Sequence, residues 1–158
     1  MKLVDQAAIS RSVAIDMDAA AVIESAMRAL GKGEVIQPDI LSMSFPQYHG
    51  EVDIKTAYIH GAHNFAVKIS PGFFNNHTYG LPSLSGMMIV FDAETGRAEA
   101  ILADNGYLTA VRTALSGLIA AKYLARADST RVAVIGSGEQ ARLQVRALKL
   151  LFPLEQVN

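Results

Sequence analysis

The chain has 158 residues, 51% of them apolar and 18% charged, with a net charge of −1 and no cysteine. That length suits one domain's worth of core, and the even charge balance argues against a nucleic-acid binder, which needs a basic stripe, and against disorder. Without cysteine there is no disulfide, thiolate zinc site or cysteine nucleophile. The first residues lead into no long apolar run, so no secretory signal is expected, and no stretch approaches the roughly 20 apolar residues a spanning helix needs. The expectation is a soluble, cytoplasmic protein.

In chain order, Asp16-Met17-Asp18 opens an alanine-rich run in which Val22, Ala26, Ala29 and Leu30 recur at helical spacing, ending at Gly31 or Gly33. A loop surrounds Pro38. Residues 52–60 and 65–70 read as strands joined by the tight connection Gly61-Ala62-His63. Residues 71–86 carry two prolines and three glycines and read as a long loop, a common place for function. Residues 87–91 and 97–103 form a predicted hairpin about 93–96, where Gly96 supplies positive φ. A helix is predicted over 108–125, then a polar connector over 126–130, a β-branched strand over 131–135, and a helix from about 139 to 151 that Pro153 ends. Val157-Asn158 reads as the start of another strand. The connector is the best boundary, with residues 1–126 on one side and 127–158 on the other. His49, His60, His63 and His77 lack metal-ligand spacing and are taken as surface or loop residues, so no metal site is expected.

The strand at 131–135 runs into Gly136-Ser137-Gly138-Glu139-Gln140-Ala141, the G-x-G-x-x-A variant of the dinucleotide fingerprint. Gly136 allows the tight turn, Gly138 lets backbone approach a diphosphate, and Ala141 lets helix and strand pack closely. Free amides and the positive end of the helix would then face the phosphates. Ser137, Glu139 and Gln140 complete the candidate cofactor segment. The acidic residue that would hold the ribose belongs about 20 residues further on, past residue 158, so NAD and NADP are not distinguished. On this count the 158-residue span by itself is expected to be inactive.

Four segments resemble the ornithine cyclodeaminase/mu-crystallin family in order and spacing: Phe65-Ala66-Val67-Lys68-Ile69-Ser70-Pro71-Gly72 ahead of Gly80-Leu81-Pro82-Ser83; Phe91-Asp92-Ala93-Glu94-Thr95-Gly96; Leu108-Thr109-Ala110-Val111-Arg112-Thr113-Ala114 with the run 120–126; and the glycine turn. Within the family, residues 50–58 and 70–74 look most like the cyclodeaminase-like proteins of ectoine-utilisation clusters. The resemblance implies an α/β protein in which a mixed α+β domain for substrate binding and dimerisation is followed by the start of a Rossmann domain for NAD or NADP. It implies a homodimer, a small amino-acid or imino-acid substrate, and cyclodeaminase or imine reductase chemistry by hydride transfer at the carbon bearing nitrogen. A catalytically inactive, mu-crystallin-like ligand binder is the alternative.

By the resemblance Lys68 and Arg112 are the catalytic candidates, both holding the substrate carboxylate; the planar fork of Arg112 suits that task. From strand alternation alone Lys68 could equally be a solvated lysine, and Arg112 could be a structural ion-pair partner, for instance of Asp104. Thr113 is a candidate for the cofactor phosphates, although a helix-interior threonine also bonds its own backbone. Ser83 is a candidate near the nicotinamide, or else a turn residue. The family's acid/base aspartate would lie past residue 158. Two departures bear on substrate: Pro38 is followed by Asp39 where ornithine cyclodeaminase has arginine, and Lys55 stands near the place of a glutamate. Both argue against ornithine, and the extra lysine suits a more acidic compound by charge pairing.

Overall fold

The computed structural model describes residues 1–158. In chain order the elements are β1 (Lys2–Asp5), α1 (Gln6–Ser12), α2 (Met17–Gly31), β2 (Val35–Ile36), β3 (Leu41–Phe45), β4 (Gly50–Ile59), β5 (Asn64–Phe73), β6 (Met87–Asp92), β7 (Ala98–Ala103), α3 (Tyr107–Leu124), β8 (Arg131–Val132), α4 (Glu139–Leu148) and β9 (Gln156–Val157). They fall into two compact units, residues 1–12 with 29–107, and residues 13–28 with 108–158.

The first unit is a seven-stranded sheet in the order β1-β7-β6-β5-β4-β2, with β3 also pairing β4. Every pairing is antiparallel except β1 with β7. Short turns set the antiparallel register. Gly61, at φ +82°, turns β4 into β5. Between β6 and β7 the Asp92 carboxylate accepts the Glu94 and Thr95 amides at 3.1 and 2.6 Å, and Gly96 takes φ +69°. This is an Asx-type turn with glycine where positive φ is required. Asp5 closes β1 and caps α1, its carboxylate accepting the Ala8 amide at 2.8 Å.

Strand β5 continues through Pro71–Phe73, where a loop is expected from the sequence. Pro71 stands opposite Val52 of β4. Its carbonyl accepts the Ser85 amide at 3.2 Å, so its nitrogen points away from β4 and the β4 ladder loses no rung. The chain then returns beside β5, with Phe73 donating to the Ser83 carbonyl at 2.8 Å and Gly72 bridging Leu84. β1, α1, β2 and β3 were not anticipated. Each is short, and β3 owes its conformation to the ladder with Gly50–Ile54 rather than to strong alternation.

The second unit is helical around α3, whose Ala110, Val111, Ala114, Leu115, Leu118 and Ile119 form a broad buried stripe. Asp16 accepts the Ala19 amide at 2.8 Å and so caps α2, as the acidic start of the run suggests. The α2 residue Glu24 accepts from Lys122 at 2.7 Å, from Tyr123, and from Arg28 at 2.8 Å. From α4, Gln140 and Gln144 donate their side-chain amides to the Ala110 and Thr113 carbonyls at 3.2 and 3.1 Å. Gly117 makes the second of these possible: a Cβ there would lie 2.0 Å from Gln144 Oε1. These contacts group α3 and residues 13–28 with everything after residue 126, whereas the composition shift in the sequence lies at 126–130.

β8 is shorter than the predicted 131–135 strand, pairing only Arg131 and Val132 with β9 in parallel, although Val134 still donates to the Asn158 carbonyl at 2.8 Å. No helix is long and apolar enough to cross a membrane.

Candidate functional site

Lys68 lies in the middle of β5, paired with Lys55 on β4 and Met88 on β6. Residues directly opposite in an antiparallel ladder share a face, as do residues two apart on one strand. Lys68, Lys55, Asp53 and Ser70 therefore project from one side of the sheet, together with Ser42 of β3, which stands opposite Asp53. The Lys55 ammonium lies 2.9 Å from the Asp53 carboxylate. Asp53 is held below the ordinary aspartate range by its bond to Lys55 and by the Ser42 hydroxyl, with a further contribution from the charge on Lys68; partial burial opposes these. The next rung on this side is Ala57 with Ala66, so small side chains flank the two lysines. Ser83 is half-buried in the segment returning beside β5, where its carbonyl is engaged by Phe73.

In the second unit Arg112 is exposed on α3, and Thr113 beside it donates its hydroxyl to the Thr109 carbonyl at 2.7 Å. The glycine turn has the shape that its sequence requires. Gly136 sits at φ +109°, a conformation that L side chains rarely adopt, and Gly138 is the extended residue immediately before α4. A Cβ on either glycine would meet no atom within 4 Å, so the backbone here faces open space. No side chain caps α4, which leaves the amides of its first turn available. Ser137 and Glu139 are exposed around the turn. Gln140 places only its backbone there: its side chain turns to α3, where Nε2 bonds Ala110 and Oε1 is buried without a partner. An open glycine bend at an uncapped helix start fits a dinucleotide diphosphate.

Thus Lys68 and Ser83 belong to the sheet unit, while Arg112, Thr113 and residues 136–140 belong to the helical unit. The sequence did not single out Asp53, Ser42 or Ser70. Counting outward from the Gly61 turn would have placed Lys55 opposite Lys68 and Asp53 opposite Ser70.

An uncharacterised cyclodeaminase of Sinorhizobium fredii is 48% identical over 159 residues, covering all of this chain and 48% of that protein. Among solved structures, the Delta(1)-pyrroline-2-carboxylate reductase of Thermococcus litoralis, in complex with NADH and L-proline, superimposes with a TM-score of 0.93 at 27% identity, covering 99% of this chain and 48% of that one. An archaeal alanine dehydrogenase dimer with bound NAD gives a TM-score of 0.89 at 28% identity, covering 99% and 47%. The chain spans about half the length of the curated relatives it matches. The fold is accordingly α/β, and these two structural neighbours hold NADH or NAD. The family model for the ornithine cyclodeaminase/mu-crystallin family matches residues 1–158, and the chain belongs to that family.

Proposed function

We propose that the protein to which this chain belongs is an NAD(P)-dependent enzyme that interconverts a small amino acid and its imine, as an imine reductase or cyclodeaminase. The observation that carries this proposal is the open glycine turn at the uncapped start of α4, in a chain whose sheet also carries the half-buried Lys68. Residues 1–126 would supply the substrate and dimer domain, and residues 127–158 would open the Rossmann domain of a cytoplasmic homodimer.

When bound, the nicotinamide supplies hydride transfer to or from the carbon bearing nitrogen. The chain's residues hold and orient. Backbone amides of residues 136–140 receive the diphosphate, and the positive end of α4 favours that charge. The Lys68 ammonium would donate to a substrate carboxylate; Arg112 belongs to the other unit, and its planar fork with two parallel N–H donors also suits a carboxylate. Fixing that carboxylate would fix the neighbouring carbon, which is what a hydride transfer needs. A phosphate accepts but does not donate, so Thr113 would contact one only by rotating its hydroxyl away from the Thr109 carbonyl. Ser83 lies in the segment the family places near the nicotinamide.

The test is titration of the full-length protein with NADH and NADPH by fluorescence. A panel of amino acids, and of 2-oxo acids with ammonium, follows, read by nicotinamide absorbance and by ammonia. Saturable binding and turnover of at least one acid are expected. Failure to bind either nucleotide overturns the proposal, and binding without any turnover leaves the inactive ligand binder in its place.

A further inference from the structure

Resting on that function, we infer that Gln140 and Gln144 are positioning residues: their side-chain amides set the stretch of α3 that carries Arg112 against the helix that opens at the glycine turn. The two lie four residues apart on one face of α4. Gln140 Nε2 donates to the Ala110 carbonyl at 3.2 Å, and Gln144 Nε2 donates to the Thr113 carbonyl at 3.1 Å. Those carbonyls are three residues apart on α3, with Arg112 between them in sequence. A single bond would leave α3 free to roll about its own axis or slide along α4. Two bonds, spaced by about a turn on each helix, fix both motions.

Stability alone does not call for this clasp. Ala110 and Thr113 lie inside α3, where each carbonyl already accepts the amide four residues on, so neither needs a second donor. Gln140 Oε1 is buried without a partner, a loss that an apolar side chain of similar length would avoid. Gly117 is a poor helix former in the middle of an 18-residue helix, yet a Cβ there would lie 2.0 Å from Gln144 Oε1. Both features weaken the packing, and both accompany amides that reach the α3 backbone. What the clasp secures is direction, because a hydrogen bond is held to a narrow range of distance and angle while apolar contact is not. Arg112 is exposed, so the aim of its guanidinium follows the roll of α3. A bidentate fork needs both donors in line with the two carboxylate oxygens, and a small roll would lose one of them. The Arg112 carbonyl is tied as well, accepting the Ser116 hydroxyl at 2.7 Å.

The experiment uses the full-length protein with an acid that it turns over, at saturating NADH or NADPH. It compares wild type, Gln140→Met, Gln144→Met and Arg112→Ala, and each methionine variant combined with Arg112→Ala. Methionine keeps the length and apolar contact of the side chain and removes the amide. Either methionine variant is expected to raise KM for the acid about tenfold, to lower kcat less than threefold, and to leave the Kd for NADH within threefold of wild type. In the Arg112→Ala background the same change is expected to alter KM less than twofold, because the residue through which it acts is gone. Wild-type KM in both methionine variants overturns the inference, as do losses that multiply with Arg112→Ala or an equal loss of NADH affinity; all leave the general function standing. The two methionine variants are independent, so one that fails to fold leaves the other decisive. Wild type that binds no nucleotide or turns over no acid overturns the function itself.

Discussion

Each unit of the molecule carries one compact charged cluster, and the two are built on opposite plans. In the helical unit a single carboxylate, Glu24, accepts from Lys122, Tyr123 and Arg28, and Arg28 also donates to the Tyr123 hydroxyl at 2.5 Å. Opposite charges meet, and chain segments 98 residues apart are fastened together. In the sheet unit Lys55 and Lys68 stand opposite each other across a ladder, and the Asp53 carboxylate is bonded to Lys55. The first arrangement is what stability selects. The second places two like charges on facing positions of a sheet, where stability alone gains nothing from the pairing itself.

The largest expected effect concerns the open glycine turn, which no charged side chain controls. Gly136→Val puts a β-branched residue at φ +109°. Backbone strain of about 1–3 kcal/mol, with loss of close approach to the diphosphate, should weaken NADH binding about a hundredfold in a fluorescence titration. Unchanged affinity would remove the turn from the site. Next comes Lys68→Ala, which removes a charged donor worth about 1.5–3 kcal/mol, a roughly ten- to hundredfold loss in kcat/KM for the acid substrate. Nucleotide affinity should stay near wild type, and a loss confined to stability would move Lys68 to the fastening class.

A smaller effect is expected inside the helical unit. Gly117→Ala puts a methyl 2.0 Å from Gln144 Oε1, so the flexible Gln144 side chain must swing off the Thr113 carbonyl. The lost bond, about 0.5–1.5 kcal/mol, is partly offset by the helix preference of alanine, so Tm should fall by a few degrees at most. Gln144→Ala loses the same bond, so the double variant should cost less than the sum of the two, and strict additivity would contradict the contact. The smallest effect belongs to Glu24→Gln. The bond from Lys122, then those from Tyr123 and Arg28, hold the Glu24 carboxyl down to about 2 from the usual 4.5. A carboxyl depressed on folding stabilises above its unfolded value and loses that contribution as pH falls through the folded one. The gap in urea midpoint between wild type and variant should therefore be present at neutral pH, shrink between pH 4.5 and 2, and vanish below. The exposed basic partners and salt screening keep it modest.

Much of the fold is written locally. The Asp16 cap, the alanine-rich helices, the Asp92–Gly96 turn and the glycine bend each follow from residues close in sequence, and the structure has them where the pattern puts them. Elements made by distant pairing were not legible. β1 exists because Lys2–Asp5 finds β7 about a hundred residues later, and β3 because it meets β4. Pro71 signals a loop by composition, yet its position beside the Ser85 segment lets a strand run through it. Gln140 sits inside the fingerprint, but packing turns its side chain onto α3.

From sequence alone came the family, the diphosphate-shaped bend and the identity of Lys68 and Arg112 as candidates, because a glycine fingerprint and a motif string depend on neighbours along the chain. Tertiary structure alone decided that Asp53 pins Lys55 and that Thr113 spends its hydroxyl proton on Thr109. Those facts depend on strand register and helix packing, in which a shift of one residue would send each side chain to the opposite face.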